Sequence, residues 1–153
     1  MTEGKVSILI VEDDENIRQT FSAILQERGY TTETAKNGQE AIQKSRTTFF
    51  NLALLDIKLP DMDGTKLLTK MHEDLPKMVK IMVTGYPSRE NAMEALNQGA
   101  DAYIIKPVKQ EKLIALIEER LQKQSQSEKM TEEKVAEWVK TRARKLESDA
   151  TVT

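Results

Sequence analysis

Short apolar runs alternate along the chain with longer segments whose apolar positions recur every three or four residues. Ile8–Val11 is wholly apolar, the pattern of a strand buried on both faces. In Glu15–Arg28, the residues Ile17, Phe21, Ile24 and Leu25 form one helical stripe, and Gly29 stands where a glycine ends a helix. Thr31–Ala35 predicts a second strand, its threonines well suited to a pleated surface. Asn37-Gly38 predicts a turn and Gln39–Thr48 a short helix. Leu52–Leu55 predicts a third strand ending at Asp56, and Leu59–Gly64 is a loop by composition. A helix from Thr65 to about Asp74 stops before Pro76, because the residue preceding proline avoids the helical region. Lys80–Val83 predicts a fourth strand. Ser88 would cap a helix running to Gln98 and stopped by Gly99. Ala102–Ile105 predicts the fifth strand, and Lys109 to about Gln124 the fifth helix.

Five strand–helix repeats joined by short connections imply a parallel sheet with right-handed crossovers and helices on both faces. Ligands in such sheets sit beyond the C-terminal strand ends, so the chemistry is to be sought there. Residues 125–153 contain no Gly or Pro, and their acidic and basic residues balance. Val135, Trp138, Val139, Arg142 and Leu146 share one helical face, which predicts a sixth, charged helix appended to a finished unit. It reads as a solvated terminal helix, a dimerising seam, or a linker to an output domain.

Composition narrows the classes. At 153 residues the chain is one domain with an extension, and a net charge of −2 argues against a polyphosphate-binding basic body. The absence of cysteine excludes a disulfide framework, a thiolate zinc site and a Cys nucleophile. No apolar stretch reaches the roughly 20 residues of a membrane span, and Met1–Lys5 has no signal-peptide character. A cytoplasmic protein without membrane contact is expected. His72 and Lys80 read as surface or edge residues.

The strand ends carry Glu12-Asp13-Asp14, Asp56, Thr84-Gly85 and Lys106-Pro107. If the first, third, fourth and fifth strands lie side by side, several carboxylates, a hydroxyl and an ammonium converge. Crowded carboxylates raise one another's pKa, and a divalent cation relieves the repulsion. Hard oxygen ligands with open positions suit Mg²⁺, which bridges to phosphate oxygens. One Asp could then act as nucleophile and form an aspartyl phosphate, with Lys106 and the Thr84 hydroxyl on the remaining oxygens. The acidic pair is Glu12/Asp13 or Asp13/Asp14; the end of the apolar run at Val11 favours the first, and Asp13 belongs to both.

Ile8–Asp14, Leu54–Ile57, Leu59–Gly64, Val83–Gly85 and Gly99–Pro107, in that order, resemble the receiver domain of two-component response regulators. The resemblance covers about residues 5–124 and implies a flavodoxin-like, CheY-like (βα)5 doubly wound α/β fold. The implied five-stranded parallel sheet has strand order 2-1-3-4-5, with residues 125–153 as an appended C-terminal helix. It matches Asp56 to the phosphoacceptor, and Glu12, Asp13, Asp56 and the backbone carbonyl of Lys58 to the Mg²⁺ ligands. Thr84, Tyr103 and Lys106 match the phosphate-binding and switch positions, and Pro107 matches a commonly cis proline. The implied function is acceptance of a phosphoryl group from a histidine kinase and reshaping of the surface from the fourth helix to the fifth. That would control a downstream protein or a fused output domain, with catalysis limited to the domain's own phosphorylation and dephosphorylation. Direct nucleic-acid binding is not expected, and a homodimer stays open. The resemblance also places Lys58 and Tyr86 at positions that tune attack by water on the acyl phosphate, where a long cation and a bulky ring are expected to slow its loss.

A Mg²⁺-dependent aspartyl phosphohydrolase is the alternative. It would want a carboxylate where Lys58 stands, and an inserted cap domain. A phosphorylation-independent scaffold would not need the whole set of site residues.

Overall fold

The computed structural model describes residues 5–85 and 88–152. Tyr86 lies outside the described residues, as do the side chains of Trp138, Arg142 and Leu146. Strands β1 (Ser7–Val11), β2 (Thr31–Ala35), β3 (Leu52–Asp56), β4 (Val79–Thr84) and β5 (Ala102–Ile105) alternate with five helices. These are α1 (Glu15–Glu27), α2 (Gly38–Thr47), α3 (Gly64–Asp74), α4 (Arg89–Asn97) and α5 (Gln110–Val152). The strands form one parallel sheet in the order β2-β1-β3-β4-β5, with Ile8 level with Leu52 and Asp56 level with Val83. This is the expected doubly wound arrangement.

The sheet buries side chains on both faces. Leu9, Val11, Ala53, Leu55 and Met82 join Leu67, Leu68 and Met71 of α3 in one cluster. Ile8, Ile10, Leu52, Leu54, Ile81 and Val83 join Phe21 and Leu25 of α1 with Leu113 and Ile117 of α5 in the other. Each such aliphatic side chain contributes about 1.5–3 kcal/mol when taken fully out of water. That gain explains why the central strands are dominated by apolar residues on both faces, Lys80 of β4 apart, whereas the edge strand β2 alternates.

Helix ends follow local chemistry. Gly29 and Gly99 have positive φ of 93° and 111°, which β-carbon-bearing residues avoid. Asp14 caps α1 by accepting from the Ile17 N–H at 3.0 Å. Asn37, expected in a turn, caps α2 by accepting from the Glu40 N–H at 2.8 Å. The C-terminal helix is present, but it is one element with the fifth helix rather than a separate sixth, because nothing from Gln110 to Val152 interrupts helical hydrogen bonding. The chain divides into two compact units, one ending at Leu121 and the other beginning at Gln122. In the second unit Val135 and Val139 are exposed. No helix among the described residues is long and apolar enough to cross a membrane.

Lys80 departs from expectation. It is fully buried on β4. Its ammonium donates to the Leu75 carbonyl at the end of α3 and lies 3.3 Å from His72 Nδ1. His72 in turn packs against Gly99, where a β-carbon would meet its ring at 2.4 Å. A charge in a short apolar run reads as an edge residue, but β4 is covered on both faces. Burial pushes the Lys80 ammonium down to about 8, with Asp101 opposing. The unfolded chain therefore binds the extra proton between pH 8 and the ordinary lysine value, and stability rises with pH through that window. Urea unfolding at pH 8 and at about pH 9.5 is expected to differ by about 1–2 kcal/mol in favour of the higher pH. The rise should be absent in Lys80→Met; an equal rise in that variant would contradict the assignment.

Candidate functional site

The C-terminal ends of β1, β3 and β5 bring three distant segments together. β1 runs straight into Glu12, which is buried, and Asp13, which is exposed. β3 ends on Asp56, also buried. Lys106 follows β5 directly, and its peptide bond to Pro107 is cis. The Lys106 Nζ lies 3.0 Å and 3.1 Å from the two Glu12 carboxylate oxygens and 3.0 Å from Asp56 Oδ2. Asp56 Oδ1 accepts from the Lys58 N–H at 3.3 Å. Carboxylate oxygens of Glu12, Asp13 and Asp56 all lie within 4.8 Å of one another. These groups line an open cleft of about 420 Å³ together with Leu59 and Pro60.

The electrostatics are those of two buried acids sharing one cation. Burial pushes the Glu12 carboxyl up to about 8, and the neighbouring Asp56 carboxyl acts in the same direction, while Lys106 pulls the other way. Burial would lower the Lys106 ammonium, but its bonds to Glu12 and Asp56 hold it above its ordinary value. One ammonium thus leaves Glu12 far from its usual carboxylate range. A divalent cation bound by these oxygens would complete the neutralisation, and the all-oxygen donor set fits a hard ion such as Mg²⁺.

Further residues hold the frame. Arg18 Nη1 donates to the backbone carbonyls of Glu12 and Asp13 at 2.8 Å and 3.2 Å, fixing the acidic pair. Sequence reasoning missed Arg18, whose place on the exposed side of the helical stripe gave no signal. Glu12 and Asp13 cluster with Asp56, whereas Asp14 is engaged as the cap of α1. Asp61 accepts from the Gly38 and Gln39 N–H groups at 2.8 Å and 2.9 Å. Burial raises its carboxyl, but the backbone donors together hold it below its ordinary value.

Thr84 is fully buried at the end of β4, and its carbonyl accepts from the Lys106 N–H at 2.8 Å. Tyr103, one strand over, packs its ring against the α3-side cluster. Its hydroxyl is buried with no hydrogen-bond partner among the described residues. Outside the cleft, Met93 and Leu96 of α4 and Ile105 of β5 expose about half of their surface.

Known proteins share these features. The sequence pattern described as the response regulator receiver domain matches residues 8–118. The chain is 36% identical to the regulatory protein AtoC of Escherichia coli over 118 residues, which is 77% of this chain and 26% of AtoC. It is 30% identical to the transcriptional regulatory protein SrrA of Staphylococcus aureus over 144 residues, 94% of this chain and 59% of SrrA. A CheY-like receiver domain structure from Methanospirillum hungatei superposes with a TM-score of 0.80 at 50% identity, covering 81% of this chain and 99% of that one. The structure of NtrX from Brucella abortus gives a TM-score of 0.80 at 29% identity, covering 84% of this chain and 29% of NtrX. The chain therefore spans about a quarter of the length of the first curated relatives it matches.

Proposed function

The chain belongs to the response regulator receiver domain family, and from that membership we propose that Asp56 is its phosphoacceptor, taking a phosphoryl group from a histidine kinase phosphohistidine. The observation that carries this reading is the meeting of Glu12, Asp13, Asp56 and Lys106 in one cleft. A carboxylate oxygen of Asp56 forms the new bond to phosphorus as the phosphorus–nitrogen bond breaks, and the leaving imidazole keeps the electron pair. Lys106, already on Asp56, pairs with the charge that the incoming oxygens bring. Glu12, Asp13, Asp56 and the Lys58 carbonyl would hold Mg²⁺, which when bound neutralises phosphoryl charge. The remaining rate enhancement comes from positioning, since the transfer itself asks little covalent chemistry of the protein.

In the switch that follows, Thr84 turns to the phosphate and Tyr103 responds, changing the surface built by α4, β5 and the start of α5. The half-exposed Met93, Leu96 and Ile105 support that surface as the output face. Residues 5–124 would form the receiver, and 125–153 a linking or pairing helix toward a downstream protein or an output domain. Self-dephosphorylation would be the only further activity, and the site of action the cytoplasm.

Incubation with MgCl₂ and a small phosphodonor such as acetyl phosphate, read by intact mass, is expected to add one phosphate. Hydroxylamine should remove it, as it does an acyl phosphate, and EDTA should prevent it. A gain that survives both treatments would refute the aspartyl-phosphate reading.

A further inference from the structure

Asp61 joins two parts of the fold that are far apart in sequence. Its carboxylate accepts from the N–H groups of Gly38 at 2.8 Å and Gln39 at 2.9 Å, the first two residues of α2. These are orphan donors of a helix start, normally satisfied by a local side chain. Here Asn37 takes only the Glu40 N–H, and a residue 23 positions downstream of Gly38 supplies the rest. Two residues later, Asp63 Oδ1 accepts from the Thr65 N–H at 2.9 Å and the Thr65 hydroxyl at 2.8 Å, capping α3. The loop between β3 and α3 is thus held between two helix N-termini by two carboxylates. Lys58 opens that loop, bonded to Asp56 on one side and bridged to Asp63 on the other. Met62 closes the gap to α2: its side-chain atoms lie 2.4–2.7 Å from where a Gly38 β-carbon would stand.

Asp61 is not one of the clustered acids, so its two bonds to α2 do not serve metal ligation directly. We propose that Asp61 is a positioning residue. It anchors the loop to the first turn of α2, so that the Lys58 carbonyl and the Asp56 carboxylate are held ready for a divalent cation. The proposal rests on reading Glu12, Asp13 and Asp56 as a cation site. Released from α2, the loop would sample more conformations, and ordering it would then cost affinity whenever a cation binds. Groups that orient metal ligands without touching the metal are worth 10–100-fold in affinity.

Titration of the full chain with Mn²⁺, followed by loss of the free-ion EPR signal, tests this. Asp61→Ala is expected to weaken binding roughly tenfold, with Asp61→Asn, which keeps an acceptor, in between. Gly38→Ala presses on Met62 with Asp61 intact and is expected to weaken binding in the same direction. The Mg²⁺ concentration giving half-maximal phosphorylation should rise in step, while the rate at saturating Mg²⁺ stays within about threefold of wild type. An Asp61→Ala or Asp61→Asn protein that melts earlier but keeps a Mn²⁺ affinity within about twofold of wild type overturns the proposal, since the anchor is then merely structural. The titration needs no phosphoryl transfer. A wild type that binds Mn²⁺ but takes no phosphate therefore refutes the proposed function alone, and one that binds no Mn²⁺ overturns both.

Discussion

Asp56→Ala is expected to abolish phosphoryl uptake completely while leaving the metal-free domain folded. Asp56 is the acid held by Lys106 Nζ at 3.0 Å on one oxygen and by the Lys58 N–H on the other, so its carboxylate is fixed in direction. Glu12 is engaged on both oxygens by Lys106, and Asp13 is exposed; neither is positioned to substitute. Loss of a nucleophile in a site that works by positioning leaves no covalent route. Stability should move the other way. Asp56 helps to push Glu12 up, and removing it relieves that repulsion while Lys106 keeps Glu12 as its partner. In the absence of metal the variant should melt no lower than wild type, and added Mg²⁺ should raise its melting temperature less. Intact mass and a thermal melt read both effects. A phosphate retained by Asp56→Ala would move the nucleophile elsewhere.

Gly64→Ala is expected to be the most damaging alanine substitution among the described glycines. A β-carbon at Gly64 would stand 2.0 Å from the Asp56 carbonyl oxygen, 2.7 Å from Ile57 Cα and 2.8 Å from the Asp56 carbonyl carbon. All three are backbone atoms at the strand end that carries Asp56, so no side-chain rotation relieves the clash. The Gly64 N–H also donates to the Ile57 carbonyl, which ties the start of α3 to the same point. Overpacking against a rigid backbone costs about 3 kcal/mol or more, at the upper end for small-to-large changes. Urea unfolding should show that loss, and Mn²⁺ affinity should fall with it because Asp56 shifts. A loss below about 1 kcal/mol would mean that the loop yields more readily than this packing allows.

Much of this site is legible in the sequence. Buried strands write themselves as apolar runs, and each run here stops at a polar residue, so the strand ends and their chemistry can be placed together. Thr31–Ala35 and Ala102–Ile105 have the same limits in the pattern and in the fold. What escapes are interactions between residues distant in sequence. Lys80 looks like an edge charge until α3 is packed over it and offers the Leu75 carbonyl. Asp61 looks like a loop acid until α2 starts beside it. Arg18 carries no signal in the pattern, yet it spans the carbonyls of Glu12 and Asp13. The helix from Gln110 to Val152 reads as two because its apolar stripe changes character near Gln124, although backbone hydrogen bonding does not follow that change. Periodicity reports which face is apolar; it is silent on which polar group will be met by a partner from elsewhere.

The buried hydroxyl of Tyr103, which has no hydrogen-bond partner among the described residues, has an energetic consequence. Burying a hydroxyl without an acceptor costs about 1–3 kcal/mol, roughly what is gained by tucking an aromatic ring into an apolar cluster. An outward rotamer that hydrates the hydroxyl is therefore expected to lie only about 1–3 kcal/mol from the inward one, which side-chain NMR of Tyr103 would show. A perturbation of only a few hydrogen bonds at the strand end is enough to redistribute such a balance, without any rebuilding of the core beneath it.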